Sequence, residues 1–152
     1  MSKHQEQIIA AAVGKVSEPI VAAAWAKPRG ATTAVAGGGV IVGAIGGKQV
    51  RNQRKGAEAA GIVLASPGAV AVTATSFLSM SVKVTMGGAI KEVTEVLTTL
   101  PLAEVDSVTV SRMGLTGVMK ISARGSDFKL EGKVGDMKEF ADAFDRVKAA
   151  SA

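Results

Sequence analysis

Four cations within eight residues are the chemically most distinctive feature of this 152-residue sequence. They follow a glycine-rich run without charge, and we call them the basic quartet: Lys48, Arg51, Arg54 and Lys55. Ammonium and guanidinium groups at this density bind phosphates, either of nucleic acid or of an anionic lipid surface. The quartet therefore predicts non-covalent binding of an anionic partner, and the competing interpretation is a solvated, solubilising helix face.

The stretch GGGVIVGAIGGK at residues 37–48 invites comparison with a phosphate-binding loop. Such a loop requires Ser or Thr directly after the lysine to bind magnesium, and Gln49 occupies that position. No strand is predicted before the run, and no βαβ unit surrounds it as a dinucleotide site requires. The sequence therefore predicts no nucleotide cofactor.

Side chains for acid–base, nucleophilic or metal chemistry are scarce. The chain has no Cys and a single histidine, His4, so thiolate chemistry is excluded and a zinc or iron site is not expected. Carboxylate pairs such as Glu92/Glu95 and Asp142/Asp145 fall at surface-helix spacings near lysines. We expect neither an enzyme nor a bound cofactor or metal, and no small-molecule substrate is implied.

Small residues recur at helical spacing within the uncharged run. Gly39, Gly43 and Gly47 fall at i, i+4 and i+8, a glycine-zipper pattern that lets a second helix approach the backbone closely. The 18 uncharged residues between Arg29 and Lys48 just reach the length of a membrane span, but seven of them are Gly. The leading interpretation is therefore a helix-packing seam that produces a homo-oligomer.

Three features favour an anionic membrane surface as the alternative partner. Trp25 suits the membrane–water interface, residues 8–25 form an apolar stripe, and the basic quartet follows an uncharged run. Nucleic acid is the weaker, third alternative, because no aromatic residue for base stacking lies between Trp25 and Phe77. With no recognisable signal peptide, we expect a cytoplasmic protein, peripheral to the inner face of the membrane in the lipid alternative.

Charge is unevenly distributed along the chain. Residues 1–60 carry eight cations and three acids, whereas residues 61–152 carry ten of each sign. The whole net charge of +5 therefore belongs to the N-terminal part. Together with a change of hydrophobic period near residue 61, this predicts a helical, glycine-rich basic segment over 1–60 and a β domain over 61–152.

Helical periodicity dominates the N-terminal segment. Apolar residues recur at spacings of three and four over residues 4–27, which predicts a helix that Pro19 kinks or divides. Residues 48–60 predict a short basic helix that ends near Gly61.

From residue 62 the apolar residues alternate with the period of a β-strand, and short glycine-containing turns interrupt them. The predicted strands are about 62–65, 69–75, 77–86, 94–100, 105–113, 116–123 and 127–134. Residues 94–100 also fit a helical turn, and a strand is favoured because Thr and Val are frequent there.

The last predicted element is an amphipathic helix. Asp136 followed by Glu139 has the spacing of a capping box, which makes Asp136 the predicted N-cap. The apolar stripe that follows consists of Met137, Phe140, Phe144 and Val147. We expect this helix to cover one end of the sheet and to belong to the core.

Three stretches, taken in order, resemble a bacterial pleckstrin-homology-like (PH-like) domain. VAVTATSFLSMSVKV (70–84) is similar to a strand pair of that family, LPLAEVDSVTVSR (100–112) to a middle strand, and VMKISARGSDFKLEGKVGDMKEFADAF (118–144) to the final hairpin and helix. The likeness covers about residues 61–148. It departs at Ser76 and Phe77, where the family has an arginine, so a charge-based ligand contact there lacks its residue.

The resemblance implies an α+β fold: a PH-like antiparallel β-barrel or sandwich of six to seven strands with a capping C-terminal helix, preceded here by the helical, glycine-rich segment. The upstream run and its cations also resemble short uncharacterised actinobacterial proteins of this kind. The wider family implies binding of lipid headgroups or peptides without catalysis. We therefore expect a non-catalytic binding and assembly module that self-associates through its N-terminal helices, with anionic-lipid binding and nucleic-acid association as alternatives.

Overall fold

A computed structural model of the chain describes residues 2–29, 40–65 and 67–151. The helices of the described residues are α1 (Lys3–Ala12), α2 (Val40–Ala59) and α3 (Val134–Ser151). The strands are β1 (Ala22–Trp25), β2 (Lys27–Pro28), β3 (Gly68–Val72), β4 (Ser76–Val84), β5 (Ile90–Pro101), β6 (Val105–Met113), β7 (Thr116–Ala123) and β8 (Ser126–Lys133). A 3₁₀ turn, Leu102–Glu104, connects β5 to β6.

Two antiparallel sheets of four strands each form the body of the molecule. The first sheet has the order β1-β3-β4-β5, and the second sheet has the order β2-β8-β7-β6. No described strand pair joins β5 to β6, so the two sheets do not close into a barrel. The predicted α+β class, with a helix after the last strand, is confirmed.

Residues 22–28 supply an edge strand to each of the two sheets. β1 pairs with β3, where Trp25 lies opposite Ala69. Two residues later β2 pairs with β8, where Lys27 lies opposite Glu131. Ala26, between the two strands, is buried in the main core. The chain therefore passes from one sheet to the other around a corner that is packed against the interior.

The prediction of a helix over residues 4–27 is wrong beyond Ala12. Gly14 takes φ +86°, the left-handed conformation that commonly terminates a helix. Residues 22–28 then form strands, because pairing with β3 and β8 supplies backbone hydrogen bonds and burial that outweigh a local helical spacing. The apolar stripe predicted over residues 8–25 therefore does not lie on one helix.

The main core lies between the two sheets and is covered by α3. The predicted stripe of that helix is confirmed, since Met137, Phe140 and Phe144 are fully buried and Val147 packs against the same cluster. A second apolar cluster lies on the outer face of the first sheet, where Ile8 of α1 is fully buried. Each face of the first sheet is thus covered by a helix.

Asp136 does not cap α3 as predicted, since the helix begins two residues earlier, at Val134. Its carboxylate accepts a hydrogen bond from the Ser2 hydroxyl at 2.9 Å, and its backbone carbonyl accepts one from the Gln5 side-chain amide at 3.4 Å. Asp136 thus joins the first turn of α1 to the first turn of α3. Local spacing cannot reveal this role, because the partners are far apart in sequence.

Six of the seven predicted strands are confirmed, and β6 and β7 have their predicted bounds. Residues 94–100 form strand, within β5. The strand predicted over 62–65 is wrong, because Ile62 donates its N–H to the Ala57 carbonyl at 2.8 Å and so closes the end of α2. With β1 and β2, which alternation did not indicate, the described strands number eight.

The basic helix is longer than predicted. α2 begins at Val40 rather than at residue 48, so the last part of the uncharged run is helical. It ends at Ala59, followed by Gly61 in the left-handed conformation at φ +81°. The predicted end near Gly61 is confirmed.

Candidate functional site

The basic quartet lies on the solvent side of α2. At about 100° per residue, the side chains of Lys48, Arg51 and Lys55 fall within an arc of about 60°, and Arg54 widens it to about 120°. The helix packs through the opposite side, where Ala57 is fully buried. All four cations are exposed, and none forms an ion pair with a described residue. The quartet is therefore available to an anionic partner.

α2 lies along the part of the β8 edge that β2 leaves unpaired. The Gln53 Oε1 atom accepts a hydrogen bond from the Lys129 N–H at 2.6 Å, and the Ser126 hydroxyl donates to the Gly56 carbonyl at 2.9 Å. The later helix residue thus lies beside the earlier strand residue, so the helix and the strand run antiparallel. The first cations of the basic quartet therefore lie toward the C-terminal end of β8.

Five further cations lie on the outer face of the second sheet. Side chains alternate between the two faces of a strand. Because Phe128 and Leu130 belong to the core, Lys129 between them points outward, and its cross-strand partners share that face. The outward cations of this sheet are Lys27, Arg29, Lys120, Lys129 and Lys133. We call these five residues and the basic quartet together the basic surface.

Two acids on the outer face are each paired with a neighbouring cation. Buried Glu131 accepts a hydrogen bond from Arg29 at 3.1 Å, and Asp127 lies 3.5 Å from the Lys120 ammonium. The Ser122 hydroxyl donates to Asp127 at 2.6 Å. This hydrogen bond, together with the charge of Lys120, holds the pKa of Asp127 below its ordinary value. The other seven cations of the basic surface form no ion pair with a described residue.

The basic surface carries more positive charge than the whole chain. It has nine cations, and the same elements carry three acids, Glu58, Asp127 and Glu131. The net charge of this region is therefore +6, whereas that of the whole chain is +5. Sequence reasoning missed Lys120, Lys129 and Lys133 because residues 61–152 are neutral when averaged. Lys27 and Arg29 were missed because residues 4–27 were predicted as a helix and not as part of a sheet. The available signal was the alternate spacing of Lys129 and Lys133 along one strand.

A cavity of about 240 Å³ opens where the C-terminal end of β8 meets α1. It is lined by His4, Trp25, Lys27 and Lys133, among others. The His4 and Trp25 rings meet edge to face with centroids 4.9 Å apart, and His4 Nε2 lies 3.0 Å from the Gly88 carbonyl oxygen. Trp25 is half-buried in β1 beside two lysines, and its predicted place at a membrane interface stays a prediction.

The predicted glycine seam lies only partly within the described residues. Gly39 is outside them, whereas Gly43 and Gly47 lie in α2. Self-association through these glycines stays a prediction. At Gly56, α2 approaches the second sheet closely, since a Cβ atom there would lie 2.5 Å from the Asp127 carbonyl oxygen.

Elsewhere in the described residues there is little that could act on a ligand. No group of three or more acidic or histidine side chains there is arranged to hold a metal ion. A cavity of about 210 Å³ lies beside Glu18 and Thr73, whose side chains hydrogen-bond to each other at 3.3 Å and so satisfy one another. The basic surface is the strongest candidate site.

No protein-family model and no curated protein sequence matches this chain. Among the helices in the described part of the chain, none combines the length and the apolarity needed to cross a membrane. Function is therefore inferred from the fold and from the basic surface.

Proposed function

We propose that this protein is a non-catalytic binding module that attaches peripherally to an anionic membrane surface through its basic surface. The observation that carries the proposal is a set of seven cations, on α2 and on the adjoining sheet face, that have no ion-pair partner among the described residues. The resemblance to PH-like domains adds support, since two antiparallel sheets followed by a helix are compatible with that fold, whose members bind headgroups or peptides.

The strength of the attachment follows from the number of cations that reach the lipid phosphates. Each Lys or Arg near an anionic leaflet contributes about 1 kcal/mol, and the contribution decays over a Debye length of about 8 Å at physiological ionic strength. Four to seven such contacts suffice for reversible attachment and are strongly weakened by salt.

The aromatic residues favour a lipid surface over single-stranded nucleic acid. The chain has one Trp, four Phe and no Tyr. All four phenylalanines are buried, namely Phe77, Phe128, Phe140 and Phe144, and Trp25 is half-buried against His4. No phenylalanine is therefore free to stack on a base, which is how proteins hold unpaired strands.

The test is sedimentation of the full chain with vesicles of phosphatidylcholine, with and without phosphatidylserine, across a salt series. We expect attachment only to the anionic vesicles, lost as salt rises. Replacing Arg51→Glu and Arg54→Glu together should weaken attachment more than tenfold, because two favourable contacts of about 1 kcal/mol become repulsive. Both side chains are exposed, so the fold is expected to survive.

The matched control is the double variant Lys15→Glu and Lys138→Glu, which changes the net charge equally at exposed positions outside the basic surface. We expect it to attach nearly as well as the unaltered chain. Equal loss in both double variants would mean that net charge alone drives the binding. Retention on duplex DNA without vesicle attachment would overturn the proposal in favour of nucleic acid.

A further inference from the structure

Two hairpin turns carry large apolar side chains that are open to solvent. Met86, between β4 and β5, is completely exposed, and Leu115, between β6 and β7, is 85% exposed. Met113, at the start of the second turn, is 56% exposed. Because single exposed apolar residues are ordinary on protein surfaces, the location of these turns decides whether they matter.

A series of contacts places both turns at the same end of the molecule. The Gly88 carbonyl oxygen of the β4–β5 turn lies 3.0 Å from His4, and His4 packs on Trp25. Trp25 lines one cavity with Lys133, which lies opposite Thr116, the first residue of β7. The cavity described above thus lies between the two apolar turns.

Cations stand just behind these turns. The Arg112 Nε–H donates to the Gly114 carbonyl of the β6–β7 turn at 2.7 Å. The Arg29 Nη2 atom lies 2.9 Å from the Met113 sulfur, and the two lysines of the cavity lie between the turns. The apolar side chains protrude at the tips of the turns, and the cations are set back from them. This arrangement matches an anionic leaflet, in which the phosphates lie at the surface and the acyl chains lie deeper.

We propose that this end of the molecule meets the membrane first, with Leu115 and Met86 entering the acyl-chain boundary while the neighbouring cations contact lipid phosphates. The inference rests on the proposed function and adds an orientation to it. Because α2 runs antiparallel to β8, the first cations of the basic quartet point toward this same end. Both apolar turns and part of the quartet then reach one leaflet together.

The test uses the absence of native cysteine from the chain. An environment-sensitive fluorophore is attached to the single-cysteine variants Leu115→Cys and Met86→Cys, with Val13→Cys as the matched control. Val13 is 79% exposed in the loop after α1. With phosphatidylserine vesicles we expect a blue shift and quenching by brominated acyl chains at positions 115 and 86, and neither effect at 13.

Sedimentation of the same labelled samples separates the two proposals. Attachment to the vesicles without a spectral shift at 115 and 86 would overturn the orientation while the proposed function stands. Absence of attachment would overturn both. As a second measurement, Leu115→Ser should weaken attachment about tenfold, as expected when one large apolar side chain no longer leaves water, whereas Val13→Ser should leave it unchanged.

Discussion

Asp127 shows how a single acid is accommodated within a cationic surface. Its carboxylate accepts a hydrogen bond from Ser122 at 2.6 Å and lies 3.5 Å from the Lys120 ammonium. Both interactions favour the ionised form, and the hydrogen bond is the larger cause of the lowered pKa. The carboxylate therefore stays charged at pH values where an isolated aspartic acid begins to take up a proton.

Removing the hydrogen bond should raise this pKa. We expect Ser122→Ala to move the pKa of Asp127 back toward its ordinary value, measured by NMR titration of the side-chain carboxyl carbon. The pKa of Asp127 is lower in the folded protein than in the unfolded chain. Its ionised carboxylate therefore stabilises the fold at pH values above the unfolded-state pKa, and this stabilisation is lost as the pH falls through the folded-state pKa. Ser107→Ala, opposite Ser122 in the β6–β7 register, is the control. An unchanged pKa in Ser122→Ala would mean that Lys120 alone sets it.

Among the helices, α2 depends on one close approach to the second sheet. A Cβ atom at Gly56 would lie 2.5 Å from the Asp127 carbonyl oxygen and 3.3 Å from Phe128 Cβ. The first of these contacts is with backbone, which cannot rotate away. The glycine therefore sets the distance at which the cations of α2 stand from those of β8.

We expect Gly56→Ala to destabilise the protein by about 1–2 kcal/mol, measured by urea unfolding. Overpacking typically costs about 1–3 kcal/mol, which exceeds the gain of about 1 kcal/mol in helix propensity. Gly135→Ala in α3 is the matched control, because nothing lies within 4 Å of its added methyl group. It should be neutral or stabilising by up to about 1 kcal/mol. Stabilisation by both substitutions would show that α2 is free to move off the strand.

The elements that could be predicted are those whose partners are near in sequence. β4 to β8 follow one another as hairpins or across a short turn, so alternation and turn residues suffice to indicate them. β1 and β2 were missed because their partners, β3 and β8, lie about 45 and 100 residues further along the chain. In residues 4–27 the competing signals, Gly14 and Pro19, indicate an interruption of the helix but not a strand.

The candidate site could likewise be predicted only where its residues are close in sequence. The basic quartet lies within eight residues of one helix, and its exposure could be predicted from that spacing alone. The sheet cations come from β2, β7 and β8 and from the residue after β2, and acids separate them along the chain. Only the strand register brings Lys120 beside Lys129 on one face. No periodicity within a single segment contains that information.

At the scale of the whole molecule, the two sheets share one core and one continuous stretch of chain. Ala24 of β1 and Ala26 at the corner both belong to the cluster that also contains Phe128 and α3. Neither sheet can lose residues 22–28 without exposing part of that core. The two sheets are therefore expected to unfold as one cooperative unit.

Hydrogen exchange tests this cooperativity. The most protected amides of β3 and β7, one central strand from each sheet, should report the same free energy of opening to within about 1 kcal/mol. Ala24→Gly, which removes a buried methyl group on the first sheet, should lower both values by the same amount. A decrease confined to β3 would show that the sheets open independently.

The shared stretch also sets the order in which the chain can fold as it leaves the ribosome. β2 has no partner until Leu130 and Glu131 of β8 have been made, about 100 residues after it. At about 5–20 residues per second, the second sheet stays without its edge strand for several seconds. During that interval β2 has no partner strand, so Lys27 joins Lys129 and Lys133 on one sheet face only after β8 has been made.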